Sequence, residues 1–225
     1  MTLGAAPRTS PLVDVHPALG VRVVCGPVEL RGTTDDLLAE LCALAADGVH
    51  APGEMPFLVP WTDASPAERA RRTAQWQWRC RADFSPASWT LNLTVLRDGV
   101  VVGMQAASGR DFLVTRTAST GSWLGLEHQG RGTGTLMRQA VAVLLIDHLG
   151  AQELRSAAFA DNPASHGVSR RLGYRLDGTE RVQRRPGEMV VDHRLRLDPA
   201  DLVRPPWPVE VEGVEALRRE IGLDD

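Results

Sequence analysis

The run Gln129-Gly130-Arg131-Gly132-Thr133-Gly134 holds the densest chemical signal in this 225-residue chain. It follows the apolar segment from Ser122 to Leu126 and leads into a strongly periodic stretch. A glycine-rich turn between a strand and the first turn of a helix points several backbone N–H groups at one place. Those donors, together with the positive end of the helix, attract an anion, typically a phosphate. Gly132 and Gly134 carry no Cβ, so a diphosphate can come close to the main chain. No Lys-Ser/Thr pair follows at P-loop spacing. The three glycines, two residues apart, make a poor dinucleotide fingerprint.

The flanking elements decide how that turn is presented. Leu136, Met137, Ala140, Val141, Leu144 and Leu145 recur at spacings of three and four, which predicts one buried stripe of a helix over about Gly132 to His148. Gly150 is placed to end it in a left-handed cap. Glu153 to Ala160 reads as a strand. Asp161-Asn162-Pro163-Ala164-Ser165 is a turn with helix-start chemistry, and the short helix after it stops at Gly173.

From Trp123 to Tyr174 the chain resembles the acetyl-CoA-binding core of the GCN5-related N-acetyltransferases. The resemblance rests on Gln129, Gly132 and Gly134 before a long helix, then Asn162-x-x-Ser165, then Leu172-Gly173-Tyr174, in that order and at those distances. The last two pieces are most similar to the RimJ/RimL-type branch, whose familiar members acetylate protein N-termini. Met55-Pro56-Phe57 and Trp61 extend the likeness, weakly, to actinobacterial members.

That resemblance implies an α/β (α+β) fold: a mixed sheet of about six or seven strands, helices on both faces, and two parallel strands that splay apart. Those two strands are expected at Ser119–Leu126 and Glu153–Ala160. It implies acetyl-CoA as the acyl donor and no metal. The pantetheine arm is expected along Trp123, Leu124, Gly125 and Leu126, and the diphosphate on Gln129, Gly130, Arg131, Gly132, Thr133 and Gly134. Asn162 takes the place of a residue that binds the pantetheine amide, and Ser165 lies at the position near the sulfur. Arg131, Arg170 and Arg171 are solvated charges before they are phosphate ligands.

The rest of the chain fits one soluble domain. Apolar residues make up 43% and charged residues 24%, ordinary globular usage. The expected division is an N-terminal extension over 1–20, the catalytic domain over 21–200 and a tail over 201–225. A net charge of −3 gives nucleic acid or an anionic membrane no electrostatic support. Cys25, Cys42 and Cys80 are isolated, which argues against a disulfide framework or a zinc site. No secretory signal or membrane-length apolar run is visible, so the cytoplasm is the expected location.

Toward the front, Val21–Val24 and Val28–Arg31 read as short extended pieces. Thr33-Thr34-Asp35-Asp36 and Ser65-Pro66-Ala67-Glu68 start two helices. Asp98-Gly99 turns a hairpin between Trp89–Leu96 and Val100–Ala107. Asp111–Thr115 continues the sheet, and Thr179–Arg184 and Val190–Leu197 add two more strands. A short helix over Val214–Ile221 closes the tail.

An acetyl thioester is already activated, so the chemistry needs alignment of a neutral amine, an N–H for the oxyanion, and two proton movements. Ser165 is the expected proton donor on the sulfur side, with a helix cap as its equal alternative. Glu54 is the choice for the base, ahead of His50 and Asp111, with Glu127 and His128 as polar loop residues. His166 reads as solvent-facing. Phe57 and Trp61 wall an amine pocket or belong to the core. The acceptor is a protein or peptide N-terminus or a small amine, and the family likeness allows a homodimer. The other class of function is a non-catalytic acyl-CoA sensor that has kept the cleft.

Overall fold

The computed structural model describes residues 11–224, so the first ten residues of the expected N-terminal extension lie outside the described part. Nine strands form one sheet. They are β1 (Arg22–Cys25), β2 (Val28–Gly32), β3 (Ser88–Arg97), β4 (Val100–Arg110), β5 (Thr117–Leu124), β6 (Glu153–Phe159), β7 (Arg175–Arg185), β8 (Glu188–Leu197) and β9 (Val209–Glu212), in the spatial order β7-β8-β6-β5-β4-β3-β2-β1-β9. The helices are α1 (Asp35–Asp47), α2 (Pro66–Ala82), α3 (Phe112–Thr115), α4 (Thr133–Val143), α5 (Pro163–Leu172) and α6 (Val214–Glu220).

Local chemistry explains where these begin. Thr34 caps α1 through Leu37 N, and Ser65 caps α2 through Glu68 N with Pro66 at the first helical position. Asp98 and Gly99 both have positive φ, 51° and 82°, the conformation a two-residue hairpin turn requires. Gly150 and Gly173 take left-handed conformations after α4's wide last turn and after α5.

Two expectations change. The sheet has nine strands rather than six or seven. The added strand β9 pairs with β1, and an Arg22–Glu212 ion pair at 2.9 Å crosses that edge. Asp111–Thr115 leaves the sheet: Asp111 and Arg116 are left-handed (φ 49° each), and between them α3 turns Phe112 into the core. The stretch before β1 is built in as well, for Ala18 and Leu19 are buried and His16 Nδ1 meets Glu220 of α6 at 2.7 Å.

Alternation along the strands sorts the two faces. Leu91, Leu93, Ala118 and Leu154 join Met137, Ala140, Val141 and Leu145 in the main core beneath α4. On the other face Leu41, Leu44 and Ala45 of α1 meet Leu96, Met104 and Trp123.

Between β5 and β6 the sheet comes apart. The two strands run parallel, and they pair only at Thr117–Glu153, Ala118–Leu154 and Ser119–Arg155. Beyond that point β5 continues to Leu124 against β4, and β6 continues to Phe159 against β8.

A polar cluster sits where they part. Ser156 Oγ donates to Thr120 O (3.3 Å), and Arg138 on α4 donates to Ser156 Oγ (3.0 Å) and to Ser169 Oγ on α5 (3.1 Å). The Arg138 guanidinium also lies 5.2 Å from the Tyr174 ring centroid. Arg138 is only 6% exposed and has no carboxylate partner among the described residues. Burial accordingly pulls its pKa down.

Truncation there removes packing and several hydrogen bonds together. Arg138→Ala should lower unfolding stability by roughly 2–4 kcal/mol, read as a fall in the denaturant midpoint at unchanged m. A change within measurement error would show that the cluster does not hold the fork.

Candidate functional site

The fork leaves main-chain groups of β5 without a strand to pair with. Gly125 N donates to Val102 O, so Gly125 faces β4, and by strand alternation so do Trp123 and Gly121. Ser122 and Leu124 therefore face the gap. Leu124 O is taken by Gln129 Nε2 (3.0 Å). What remains toward the gap is Leu124 N–H and both main-chain groups of Ser122, an edge able to accept an extended chain carrying amides.

The glycine turn stands at the mouth of this gap. Gly130 and Gly132 have φ of 72° and 78°. A Cβ on either would meet nothing within 4 Å, so backbone conformation rather than crowding is what calls for glycine. At Gly134 a Cβ would make ordinary contact with Val168 at 3.7 Å, so alanine would also fit. Thr135 N and Leu136 N both reach Gly132 O. No described residue accepts from the N–H groups of Gly130 to Gly134, and those of Thr133 and Gly134 belong to the positive first turn of α4.

Arg97, at the end of β3, fixes this turn from behind and was not foreseen. Its Nη1 donates to Arg131 O (2.8 Å) and to the buried Thr133 Oγ1 (2.7 Å). It holds two acceptors away from the concave side and adds positive charge to the mouth. Arg131 itself is exposed, as are Arg170 and Arg171.

Several expected ligands have other work. The Gln129 side chain ties Val49 O (2.8 Å) to Leu124 O, and its own N–H reaches Leu126 O. Gln129 braces the turn and offers no donor to the gap. Leu126 lies outside the strand in a short 3-10 turn, and its N–H is spent on Gly48 O (3.0 Å). Of the three N–H groups from Leu124 to Leu126, only that of Leu124 is left for an oxyanion.

On α5, Asn162 is the cap: its Oδ1 accepts from Ser165 N at 3.0 Å. The capping alternative for Ser165 is thereby removed, and the Ser165 hydroxyl has no partner among the described residues. His166 is half-buried rather than solvent-facing. Its Nε2 approaches Phe159 O (3.0 Å) and its ring lies 5.0 Å from that of His193.

On the face opposite α4, aromatic rings line the approach. His50, Phe57, Trp61 and Trp123 form a chain with centroids 6.1, 5.3 and 5.8 Å apart. Trp61 and Phe57 are half-buried and pack on the smaller core, so each is both core and wall. The loop that carries them is tied to the β7–β8 hairpin, because Arg185 bonds both oxygens of Asp63 and also Glu54 O. The Arg185 guanidinium holds the Asp63 carboxyl below the usual carboxylate range, so the tie persists into acid.

The three expected bases fare differently. Both ring nitrogens of His50 are engaged, with Ala51 O (2.9 Å) and Thr62 Oγ1 (2.8 Å). Asp111 lies at the closed end of the fork, next to the Gly109–Ala118 pair. Glu54 is exposed, on the loop that Arg185 clamps.

The described residues contain no group of His, Cys, Asp or Glu able to hold a metal, and no helix is long and apolar enough to cross a membrane. Among solved structures, the chain is similar to Mycobacterium smegmatis RimJ in complex with CoA-disulfide: 17% identity, 89% of this chain and 92% of that one, TM-score 0.68. It is similar to RimL, a ribosomal L7/L12 alpha-N-protein acetyltransferase, at 17% identity over 79% and 94%, TM-score 0.61. It is also similar to a chimera of Vibrio cholerae spermidine N-acetyltransferase SpeG and hSSAT, at 12% identity over 78% and 97%, TM-score 0.60. At such identities these likenesses speak for the fold. The family model for the acetyltransferase (GNAT) domain matches residues 28–175, a span that contains the fork, the glycine turn and α5, and the chain belongs to that acetyltransferase family.

Proposed function

We propose that this protein moves an acetyl group from acetyl-CoA to a primary amine by direct attack within a ternary complex. A protein or peptide N-terminus is the first choice of acceptor. The observation that carries this reading is the unpaired edge of β5, which leads straight to the unsatisfied N–H groups of Gly130–Gly134. Pantetheine amides pair with Ser122 and Leu124 N–H, and the diphosphate rests on the turn that Arg97 stiffens. Ser122 thus joins the expected set, while Trp123, Gly125, Leu126 and Gln129 serve as its frame. The side-chain amide of Asn162 still has its N–H groups for the pantetheine, and the Ser165 hydroxyl serves the sulfur.

A sensor would use the same cleft for coenzyme A, and turnover separates the two. Purified protein, acetyl-CoA and a panel of free-N-terminal peptides, spermidine and aminoglycosides, followed by thiol release, should show acetylation of at least one amine. The resemblance to RimJ and RimL favours peptides, and the SpeG likeness keeps polyamines in the panel. Tight CoA binding with no turnover across the panel would favour the sensor.

Two variants test the placement. Gly132→Glu adds negative charge at the diphosphate and should weaken CoA binding at least 100-fold by calorimetry. Gly132→Ala controls for the left-handed backbone and carries only its strain of about 1–2 kcal/mol. Arg97→Met keeps the stem but frees the turn, and should weaken CoA several-fold while lowering unfolding stability by no more than about 1 kcal/mol.

Ser165→Ala should lower kcat by roughly 10²-fold with CoA affinity within threefold of wild type. An unaltered rate and pH–rate profile would remove Ser165 from the reaction.

A further inference from the structure

Of the expected destinations for the proton that the acceptor amine must lose, His50 has both ring nitrogens engaged, Asp111 lies at the closed end of the fork, and Glu54 is an exposed carboxylate on the loop. A carboxylate that sequence reading passed over is better placed. Asp192 lies on β8, in register with Phe159 at the end of β6 and with Glu180 on β7. Paired residues share a face, and Ser119 pairs with Arg155. Arg155, Ala157 and Phe159 therefore face the same side as Ser119, Gly121 and Trp123. Asp192, opposite Phe159, faces that side as well. Leu154, Ser156 and Ala158 face α4 and α5. Asp192 thus stands at the open end of the fork, on the aromatic-lined face away from the glycine turn.

We propose that Asp192 accepts the proton of the amine that this enzyme acetylates. The proposal rests on the acetyltransferase reading above. Asp192 is 9% exposed as a residue, and its carboxylate, which still touches solvent, has no hydrogen bond or ion pair with any described residue. Arg184, which lies 4.8 Å from the Phe159 ring centroid, pairs with Asp161 and Glu188 rather than with Asp192, and its Nε is left without a partner among the described residues.

The groups that bear on Asp192 are Glu180 across the strand pair, His193 beside it in the chain and His166 from α5. Burial foremost, then the Glu180 charge, push its pKa above the usual carboxylate range, while the two imidazoles oppose this when charged. The native state then holds that proton more tightly than the unfolded chain does. Stability falls as pH rises from the ordinary carboxylate pKa through the raised one. At neutral pH an ionised Asp192 is a standing cost to the fold, and sites of reaction are where such costs are kept.

The step balances as follows. The ammonium gives one proton to Asp192, which passes it to water. The nitrogen lone pair attacks the thioester carbonyl carbon. As the new C–N bond is completed and the C–S bond breaks, the second N–H proton reaches the sulfur by way of the Ser165 hydroxyl.

Asp192→Asn isolates the claim. The variant should fold with an unchanged or higher melting temperature at pH 7 and bind CoA within threefold of wild type. With the fastest amine of the panel, its kcat/KM at pH 7 should drop roughly 10²-fold or more. Its activity should climb with pH toward the amine's own pKa, and Asp192→Glu should restore part of the rate. Wild-type rates with a wild-type pH profile in Asp192→Asn would overturn the proposal. Should wild-type protein acetylate no amine, acetyl transfer itself fails as the reading. The assignment of Asp192 as base falls with it, whereas in an active enzyme carbon-13 titration of the Asp192 carboxyl, assigned by its loss in the Asn variant, tests the residue apart from rates: a raised pKa that responds to acetyl-CoA supports it, and an ordinary one overturns it.

Discussion

Everything distinctive in this molecule depends on the ending of one ladder of hydrogen bonds. After Ser119 and Arg155 the parallel strands β5 and β6 stop pairing in the middle of a nine-stranded sheet. Unpaired main-chain amides inside a protein are costly unless water or a ligand meets them. The chain contains that cost with a small set of side chains. Ser156 takes the first carbonyl beyond the ladder, that of Thr120, and Arg138 anchors Ser156 to α5 through Ser169. The cation that does this is itself buried without a counter-charge, so the cluster is stable only while its hydroxyls and the Tyr174 ring stay in place. Opening the sheet and closing the core are one problem here, with one solution.

The opening also divides the labour between two faces. On the α4 side the groups are fixed before any ligand arrives: two left-handed glycines, a helix start, and an arginine from β3 holding Arg131 O and Thr133 Oγ1. Little reorganisation is then left to do at binding. On the other side the wall is assembled from segments distant in sequence. A loop carrying Phe57 and Trp61 meets the β7–β8 hairpin through Asp63 and Arg185, 122 residues apart in the chain. A donor common to a family suits the first arrangement. An acceptor particular to one protein suits the second, because loops and hairpin tips vary without disturbing the fork.

Much of this was legible in sequence where the physics is local. The caps Thr34 and Ser65, the Asp98-Gly99 turn and the glycine turn before α4 are all decided within a few residues. Register is not local, and that is where the reading fell short. Which of Trp123, Leu124, Gly125 and Leu126 offers main chain to the gap depends on the pairing of β5 with β4, which selects Leu124 and brings in Ser122. Strand β9 is four residues at a sheet edge, too short for a periodic signal. The expected strand at Asp111–Thr115 failed because two non-glycine residues adopt left-handed conformations to bury Phe112, and propensity does not foresee that. Arg97 looked like a hairpin-turn residue, and only the sheet's fold brings it under the turn at Arg131.

Asp192 illustrates the same limit from the side of chemistry. In sequence it is one acidic residue in an alternating strand, with nothing to set it apart from Glu180 or Asp177. Its character comes from three strands at once: β6 supplies Phe159 beside it, β7 supplies a like charge, and β8 turns it toward the open fork. Most carboxylates near arginines in this protein are satisfied, as Asp63, Asp147, Asp161 and Asp198 are. Asp192, buried over most of its surface and without such a partner, stands apart from them in a chain rich in arginine. Placing an amine there gives it a partner, since a cation entering the fork from the aromatic side is what Asp192 lacks.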